Sequence, residues 1–249
     1  MILAVDIGNT NINIGSFQGK KLISHYCVDN RGLINQKAAF PLSPSLLNQT
    51  KDILIASVNP KVETVFYKYL GKKHKKKVLK IGKEIKLKMP ILVDNPQKIG
   101  IDRVLNAFAA YRRTKNATIV IDFGTAITID IVSRKGEFLG GLILPGIRAS
   151  AYALNKQTAL LPEVDIKEPK DVIGKNVENA IKAGIYFGTT GSIIHIIRKV
   201  RKAYEDLQYI IATGGDAETF KKDISEIDKV IPRLTLEGIR IAFTESVNL

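Results

Sequence analysis

Apolar positions along the chain follow two patterns, one typical of β-strands and one typical of helices. Short apolar runs bounded by polar turns predict strands, at residues 2–5, 12–17, 21–26, 53–58, 117–122, 126–132, 138–144 and 209–212. Apolar residues at helical spacing predict helices, at residues 62–70, 101–112, a stretch ending at 154, 176–204 and a short helix after 237. Because strands and helices alternate, the pattern indicates an α/β fold.

Two segments stand out from these patterns. Residues 77–96 show no period and contain several lysines, which predicts an irregular basic segment. The longest predicted helix contains Gly184, Gly188 and Gly191. Since a glycine leaves room beside the backbone, these positions predict the close approach of a ligand or of another helix.

One short signature occurs twice: an acidic residue ends an apolar strand, and Gly followed by Asn or Thr comes two residues later. The first copy reads AVDIGNT around Asp6, and the second reads VIDFGTA around Asp122. Nearly half of the 249 residues separate the two copies, and strand, turn and strand follow in the same order in each. The repeat predicts two similar domains, residues 1–114 and 115–249, with a cleft between them.

Each copy places a carboxylate and several backbone N–H groups at the end of a strand. Phosphoryl transfer needs such a carboxylate for hydrated Mg²⁺ and short polar residues for the phosphate oxygens. An ordinary hairpin turn has the same composition, so residues 6–10 alone leave the two interpretations level. The second copy at residues 122–125 favours phosphate binding. Two carboxylates near a polyphosphate also imply bound cations.

Composition narrows the possible classes of protein. With 249 residues and 45% hydrophobic content, the chain can bury a sizeable core. Its one cysteine, Cys27, excludes an internal disulfide, and its three scattered histidines offer no zinc-ligand spacing. The N-terminus lacks the features of a signal peptide, and no apolar run approaches the length of a membrane span. We therefore expect a cytoplasmic protein with no membrane partner.

The net charge of +14 is concentrated in one place. Residues 68–88 contain ten lysines against one acid, Glu84, and Tyr69 is their only aromatic residue. Proteins that read nucleic-acid bases favour arginine and aromatic side chains, and this segment has no arginine. A solvated lysine face is the preferred interpretation, which argues against a nucleic-acid partner, while weak polyanion binding stays open.

A third candidate for chemistry is the sequence Gly100-Ile101-Asp102-Arg103 at the start of a predicted helix. Asp at a helix start is usually a cap. The adjacent arginine offers another interpretation, in which Asp102 accepts a proton from a substrate hydroxyl and Arg103 holds a substrate carboxylate. A substrate with one hydroxyl and one carboxylate would suit this pair.

With these elements in order, the chain resembles the type III pantothenate kinases of the acetate and sugar kinase, Hsp70 and actin superfamily. The resemblance spans essentially the whole chain and rests on seven strings in the same order. They are DIGNTNINIG from residue 6, SVNP from 57, DNPxxxGIDR ending at 103, DFGTA from 122, GGLILPGIRAS from 140, TGGDA from 213 and LTLEGI from 234. Any one of these strings is weak evidence, but seven in order are a strong signal.

The resemblance implies a fold of two similar ribonuclease H-like (actin-like ATPase) domains, each a mixed sheet with flanking helices, with the active site in the cleft between them. It also implies ATP-dependent phosphorylation of the primary hydroxyl of pantothenate, the first step of coenzyme A synthesis, by a homodimer. The loop implied to bind the ATP phosphates consists of Asp6, Ile7, Gly8, Asn9, Thr10, Asn11, Ile12 and Asn13.

The resemblance assigns further roles residue by residue. Asp6 would face Mg²⁺ through water, Thr125 would contact ATP, and Asp122 would bind the monovalent cation, K⁺ or NH₄⁺. Asp102 would be the proton acceptor, and Arg103 would lie near the substrate carboxylate. The residues implied to bind pantothenate are Gly100, Ile101, Asp102, Arg103 and Val177.

Two departures from the family pattern leave alternatives open. Val93 stands where the family usually has tyrosine, and Val177 stands where it usually has threonine. Losing a hydrogen bond from that threonine would forfeit roughly 0.5 to 1.5 kcal/mol. One alternative is therefore a kinase of the same fold that acts on a different hydroxy acid. Another is a non-catalytic regulatory homologue that binds polyanions through residues 68–88.

Overall fold

The computed structural model describes residues 1–35, 39–73 and 77–247. They form two compact units, each built on one five-stranded sheet. Of the lysine-rich segment, Lys75 and Lys76 lie outside the described residues. The first unit comprises Met1–Pro90, Asp94–Ala109 and Arg233–Leu249, and the second comprises Ile91–Val93 and Ala110–Pro232.

The sheet of the first unit has the strand order β3-β2-β1-β4-β5. Its strands are β1 (Ile2–Ile7), β2 (Asn11–Gln18), β3 (Lys21–Asp29), β4 (Asp52–Ser57) and β5 (Val78–Lys80). The first three pair as an antiparallel meander, whereas β1, β4 and β5 are parallel. The helices of this unit are α1 (Asn30–Ile34), α2 (Pro44–Gln49), α3 (Pro60–Lys73), most of α4 (Ile101–Thr114) and the C-terminal helix α8 (Leu234–Val247).

Helices cover both faces of this sheet. On one face, the alternate residues of β1 pack with apolar residues of α3 in a shared buried cluster. On the other face, α8 contacts β1, β2 and β4, and a Cβ at Gly15 would lie 3.0 Å from Leu236 Cδ1. The helices α8 and α4 also cross closely, since a Cβ at Gly238 would lie 2.6 Å from the Leu105 carbonyl oxygen.

The sheet of the second unit has the strand order β8-β7-β6-β9-β10. Its strands are β6 (Thr118–Phe123), β7 (Ala126–Val132), β8 (Phe138–Pro145), β9 (Tyr209–Gly214) and β10 (Lys229–Val230). Here too an antiparallel meander joins two parallel strands. The helices of this unit are α5 (Ile147–Gln157), α6 (Val177–Ala203) and α7 (Ala217–Lys221).

The two sheets have the same strand order and the same directions of pairing, which confirms the predicted α/β fold of two similar mixed sheets. Asp6 and Asp122 are equivalent, because each is the penultimate residue of the central strand. The proposed division into residues 1–114 and 115–249 stays a prediction. The compact units differ from it mainly because α8 packs on the first sheet.

The elements predicted from long or strongly patterned segments are present, with ends that differ by a few residues. The last helix is longer than expected and begins at Leu234, not near residue 237. The pattern missed α1, α2, α7, β5 and β10, all six residues or shorter. The expectation of a wholly irregular segment at 77–96 was wrong at β5, which pairs in parallel with β4.

The helix α6 combines one buried stripe with an open face. Its buried residues are Ile181, Ala183, Tyr186, Thr190, Ile193, Ile197 and Val200. A Cβ at Gly184, Gly188 or Gly191 would meet no atom of the described residues within 4 Å apart from the backbone of its own helix, so no other helix among them makes the predicted close approach. The predicted approach of a ligand stays a prediction. By length and composition alone α6 could cross a membrane, which corrects the expectation that no segment reaches this length. Core helices of soluble proteins pass the same test.

Candidate active site

Asp6 lies at the carboxyl end of β1, between β2 and the parallel strand β4. Its backbone neighbours are Asn13 on β2 and Ala56 on β4. In sheets of this kind, ligands bind beyond the carboxyl ends of parallel strands. The position of this half-buried carboxylate therefore suits a charged ligand at the sheet edge.

The turn after β1 is closed by a hydrogen bond from the Gly8 N–H to the Asn11 carbonyl oxygen, at 3.0 Å. Asn9 is its most exposed residue. The side chains of Ile7 and Ile12, both placed in the predicted ATP loop, are fully buried in the core. Only their backbone groups can therefore contact a nucleotide.

Asn30, at the start of α1, holds this turn from the buried side. Its backbone N–H donates to the Thr10 carbonyl oxygen and its Nδ2 donates to the Gly8 carbonyl oxygen, both at 2.8 Å. No periodic signal in the sequence marks this residue, because α1 has only five residues. The Asp29-Asn30 pair after a strand was the one available signal, since Asp is a common helix cap.

Asp102 lies in the first turn of α4. It is the second residue of the helix, and its Oδ1 accepts a hydrogen bond from the adjacent Arg103 N–H at 2.8 Å. An N-cap residue precedes the helix and accepts from N–H groups two or three residues ahead, so Asp102 does not make that bond. A Cβ at Gly100 would collide with the same oxygen, so the glycine makes room for the carboxylate. A carboxylate has a second oxygen that can accept a proton, so the bond to Arg103 is compatible with a catalytic role.

The start of α4 adjoins the edge of the sheet where Asp6 lies. The Val58 N–H, just beyond β4, donates to the Ile7 carbonyl oxygen at 3.0 Å. A Cβ at Gly100 would lie 3.6 Å from Val58 Cγ1. Val58 therefore connects the Asp6 turn with the segment that carries Asp102, and two of the three candidate elements meet in the first unit.

Asp122 lies at the carboxyl end of β6 in the second unit, paired in register with Thr128 and Thr213. Its carboxylate lies against Gly214, where a Cβ would be 2.6 Å from Asp122 Oδ1. Gly214 has φ +95°, a conformation that favours glycine. The carboxylate is thus fixed by a close backbone approach.

Thr125 is exposed in the turn between β6 and β7. This turn is one residue shorter than the turn after β1, since Phe123 pairs with Ile127, whereas Ile7 pairs with Ile12. A Cβ at Gly146 would collide with the Thr125 carbonyl oxygen, so the segment before α5 packs directly on this turn.

Val177 is the first residue of α6 and is 52% exposed. It lines an open apolar pocket of about 600 Å³ whose other lining residues are Leu154, Leu161, Ala180, Ile181, Gly184 and Ile185. Val93, the other departure from the family pattern, lies near Gly140, where a Cβ would be 3.6 Å from Val93 Cγ1. Both valines therefore belong to the second unit.

Asp216 has a charge environment that the sequence pattern did not predict. Burial raises the pKa of its carboxyl group, Arg148 opposes this rise, and Asp165 adds to it. Asp216 lies two residues beyond the end of β9 and belongs to the string TGGDA, for which no chemical role was predicted. Asp122 lies at the same end of the neighbouring parallel strand β6.

Solved structures share this fold. A Campylobacter jejuni protein named for the Baf family of transcriptional activators aligns over 100% of both chains, with a TM-score of 0.63 and 22% identity. The ROK hexokinase of Thermus thermophilus aligns over 98% of this chain and 99% of its own, with a TM-score of 0.51 and 13% identity. The fold is the actin-like ATPase fold, with two ribonuclease H-like domains.

Sequence relatives narrow this class. The family model for type III pantothenate kinase matches residues 2–199. Proteins named type III pantothenate kinase from Geobacter sulfurreducens and Moorella thermoacetica are each 38% identical to this chain, over 98% of both chains. The chain therefore belongs to the type III pantothenate kinase family, and it is a kinase.

Proposed function

We propose that the chain transfers a phosphoryl group from ATP to the primary hydroxyl of pantothenate, giving 4′-phosphopantothenate in the first step of coenzyme A synthesis. Family membership supports this reaction. The structural observation that carries it is the meeting of the Asp6 turn and the Gly100–Arg103 segment through Val58. An ATP-consumption assay with pantothenate, with and without K⁺, tests the reaction. No consumption in either buffer would reject it.

The proposed ATP site consists of the turn from Asp6 to Asn13 together with Thr125, with Asp6 facing Mg²⁺ through water. The described residues contain no group of three or more His, Cys, Asp or Glu side chains that could hold a metal ion. Mg²⁺ typically keeps several waters and binds one or two carboxylates plus substrate phosphates. A single carboxylate at the sheet edge fits that requirement, and bound Mg²⁺ would neutralise charge on the phosphates.

Asp102 is the proposed general base, which accepts the proton of the pantothenate hydroxyl. Asn keeps a side-chain oxygen that can accept from the Arg103 N–H, so Asp102→Asn should leave the melting temperature close to that of the wild type. If Asp102 is the base, turnover should fall by about 10²- to 10⁴-fold. A turnover within threefold of the wild type would remove Asp102 from the role of base.

Arg103, with Gly100, Ile101 and Val177, completes the proposed acceptor site. The guanidinium of Arg103 would bind the substrate carboxylate through two parallel hydrogen bonds. Val177 contributes an apolar surface beside an open pocket, and this observation favours the second candidate, a kinase for another hydroxy acid. A competition assay between pantothenate and a panel of hydroxy acids distinguishes a pantothenate kinase from a kinase for another hydroxy acid. A competitor used more efficiently than pantothenate would support the second candidate.

Asp122 is the proposed ligand of a monovalent cation, K⁺ or NH₄⁺. Its carboxylate lies near the Phe123 carbonyl oxygen, which also adjoins Gly214, and oxygen ligands of this kind suit a hard cation. Activity should therefore depend on K⁺ or NH₄⁺, and Asp122→Ala should remove this dependence. Equal wild-type rates in Na⁺ and K⁺ buffers would contradict the assignment.

We include a homodimer and a cytoplasmic location in the proposal. Most of the exposed large apolar side chains belong to the second unit, among them Ile143, Tyr152, Leu160, Ile173 and Val177. Leu154, Leu161 and Val177 line one apolar surface, and contiguous exposed apolar surfaces are typical of protein interfaces. Sedimentation should give a mass near twice 27.5 kDa. A monomer at micromolar concentration would exclude the dimer.

A non-catalytic, polyanion-binding homologue is the alternative from another class. The lysines at residues 68–88 motivate it, but Lys80 is paired with Glu63 at 2.7 Å and is not part of an open basic surface. Asp6, Asp102 and Asp122 are all present, which favours catalysis. Tight, salt-sensitive DNA binding without ATP turnover would support the alternative.

A further inference from the structure

Asn30 is a buried polar residue outside the predicted ATP loop. It is 2% exposed, and its Nδ2 donates to the Gly8 carbonyl oxygen at 2.8 Å. Its Oδ1 is buried and has no hydrogen-bond partner in the part of the chain that the structure describes. A buried unpaired acceptor costs about 1–3 kcal/mol. The favourable contribution of the Asn30 side-chain amide therefore comes from the bond that its Nδ2 donates.

This bond fixes the direction of one peptide in the turn. A peptide unit is planar and trans, so the Gly8 C=O and the Asn9 N–H point in opposite directions. With the Gly8 oxygen bound to Asn30 on the buried side, the Asn9 N–H faces away from that side, and Asn9 is exposed. An anion at the turn then meets an N–H donor in place of a carbonyl oxygen.

Asn30 is itself held by a rigid anchor. Asp29 Oδ1 accepts from the Arg31 and Gly32 N–H groups at 2.8 and 3.2 Å, which caps α1. The Asn30 backbone N–H also binds the Thr10 carbonyl oxygen at 2.8 Å. The side chain therefore starts from a backbone that is bound both to α1 and to the turn. A support of this kind keeps binding groups in position before the ligand arrives.

We propose that Asn30 is a positioning residue for the phosphate-binding turn, which orients the Asn9 N–H toward the ATP phosphates by holding the Gly8 carbonyl oxygen. This inference rests on the proposed function in taking the ligand to be ATP. It concerns the side-chain bond alone, because the backbone bond to Thr10 persists in any variant.

The test compares Asn30→Ala and Asn30→Asp with Asn35→Ala. Asp has the shape of Asn but, as a carboxylate, cannot donate to Gly8. Asn35 ends the same helix, and its contacts are made by its backbone N–H, so its variant controls for changes to α1. We expect both Asn30 variants to raise the KM for MgATP by about five- to tenfold, with the KM for pantothenate within twofold of the wild type.

A second measurement does not require turnover. In ¹H–¹⁵N spectra, MgATP should shift the Asn9 amide of the wild type and of Asn35→Ala, and the shift should be lost in both Asn30 variants. Equal MgATP KM values and an unchanged Asn9 shift in folded variants would overturn the inference. If these Asn30 variants do not fold, Asn30→Leu, which is similar to Asn in shape and has neither donor nor charge, decides the question by the same two measurements.

These results are distinguishable from failure of the proposed function. A wild-type protein that binds MgATP but does not phosphorylate pantothenate would reject the proposed reaction, while the Asn9 shift would still test Asn30. A wild-type protein whose Asn9 amide is unaffected by MgATP would reject this inference, even if pantothenate is phosphorylated.

Discussion

Replacing Gly100 by alanine tests whether the position of the Asp102 carboxylate matters for turnover. A Cβ at this position would collide with Asp102 Oδ1, which is the end of a flexible side chain. The backbone therefore need not move, since the carboxylate can rotate away and lose its bond to the Arg103 N–H, now 2.8 Å long. Gly100→Ala thus displaces the proposed base without removing it.

The expected effects on stability and on activity differ in size. Loss of one hydrogen bond costs about 1 kcal/mol, which corresponds to a fall in melting temperature of about 2–4 °C for a chain of this size. A displacement of about 1 Å at a reacting group can lower the rate about 10²-fold. We therefore expect kcat to fall by about two orders of magnitude while most of the stability is retained.

The assay measures kcat under saturating ATP and pantothenate, together with thermal melting, for the wild type, Gly100→Ala and Gly71→Ala. Gly71 is a helical glycine at which an added Cβ would meet no atom of the described residues within 4 Å, so its variant shows the effect of the substitution without a clash. If Gly100→Ala loses no more than threefold in kcat, the position of Asp102 does not limit turnover, and the reasoning is wrong.

Three further predictions concern other residues. Gly214→Ala should lower the melting temperature and abolish activation by K⁺, because its φ is +95° and the new Cβ would lie 2.6 Å from Asp122 Oδ1; unchanged K⁺ activation would contradict this. Burial, then Arg233, lowers the pKa of His25 below 6.5, so the native state favours neutral His25. The contribution of neutral His25 to stability is present above pH 6.5 and is lost as the pH falls through the native pKa. The melting temperature of His25→Gln should therefore change less between pH 7.5 and 5.5 than that of the wild type. Burial, then Asp29 and Asp6, raises the pKa of the Cys27 thiol, so iodoacetamide should react with it more slowly than in the unfolded chain; mass spectrometry of the alkylated protein checks the two rates, and equal rates would contradict this.

The repeat of strand, acidic turn and strand could be predicted because residues close together in the sequence determine it. Alternating apolar residues and turn-forming residues determine β1, β2, β6 and β7 over short distances. The equivalence of Asp6 and Asp122 followed from this pattern, and the structure places both at the penultimate position of a central strand. The same local pattern could not show that one turn is a residue shorter than the other.

The remaining features depend on contacts between residues far apart in the chain. The helix α8 packs on the first sheet beside Gly15 and crosses α4 where Gly238 lets it approach Leu105, and no local pattern marks such contacts. Elements of two to six residues, such as β10 and α1, are too short to show a period. Asn30 was missed for a related reason, since β2 and β3 separate it in the sequence from its partner, the backbone oxygen of Gly8.

The two acidic turns are supported in different ways, and this difference favours the unequal roles proposed for them. The four-residue turn after β1 is held by the Asn30 amide, which leaves its exposed side to N–H groups that suit phosphate oxygens. The three-residue turn after β6 is packed by Gly146, and its carboxylate is confined by Gly214, so backbone and carboxylate oxygens are brought together there. Oxygen atoms gathered in this way suit a cation better than an anion.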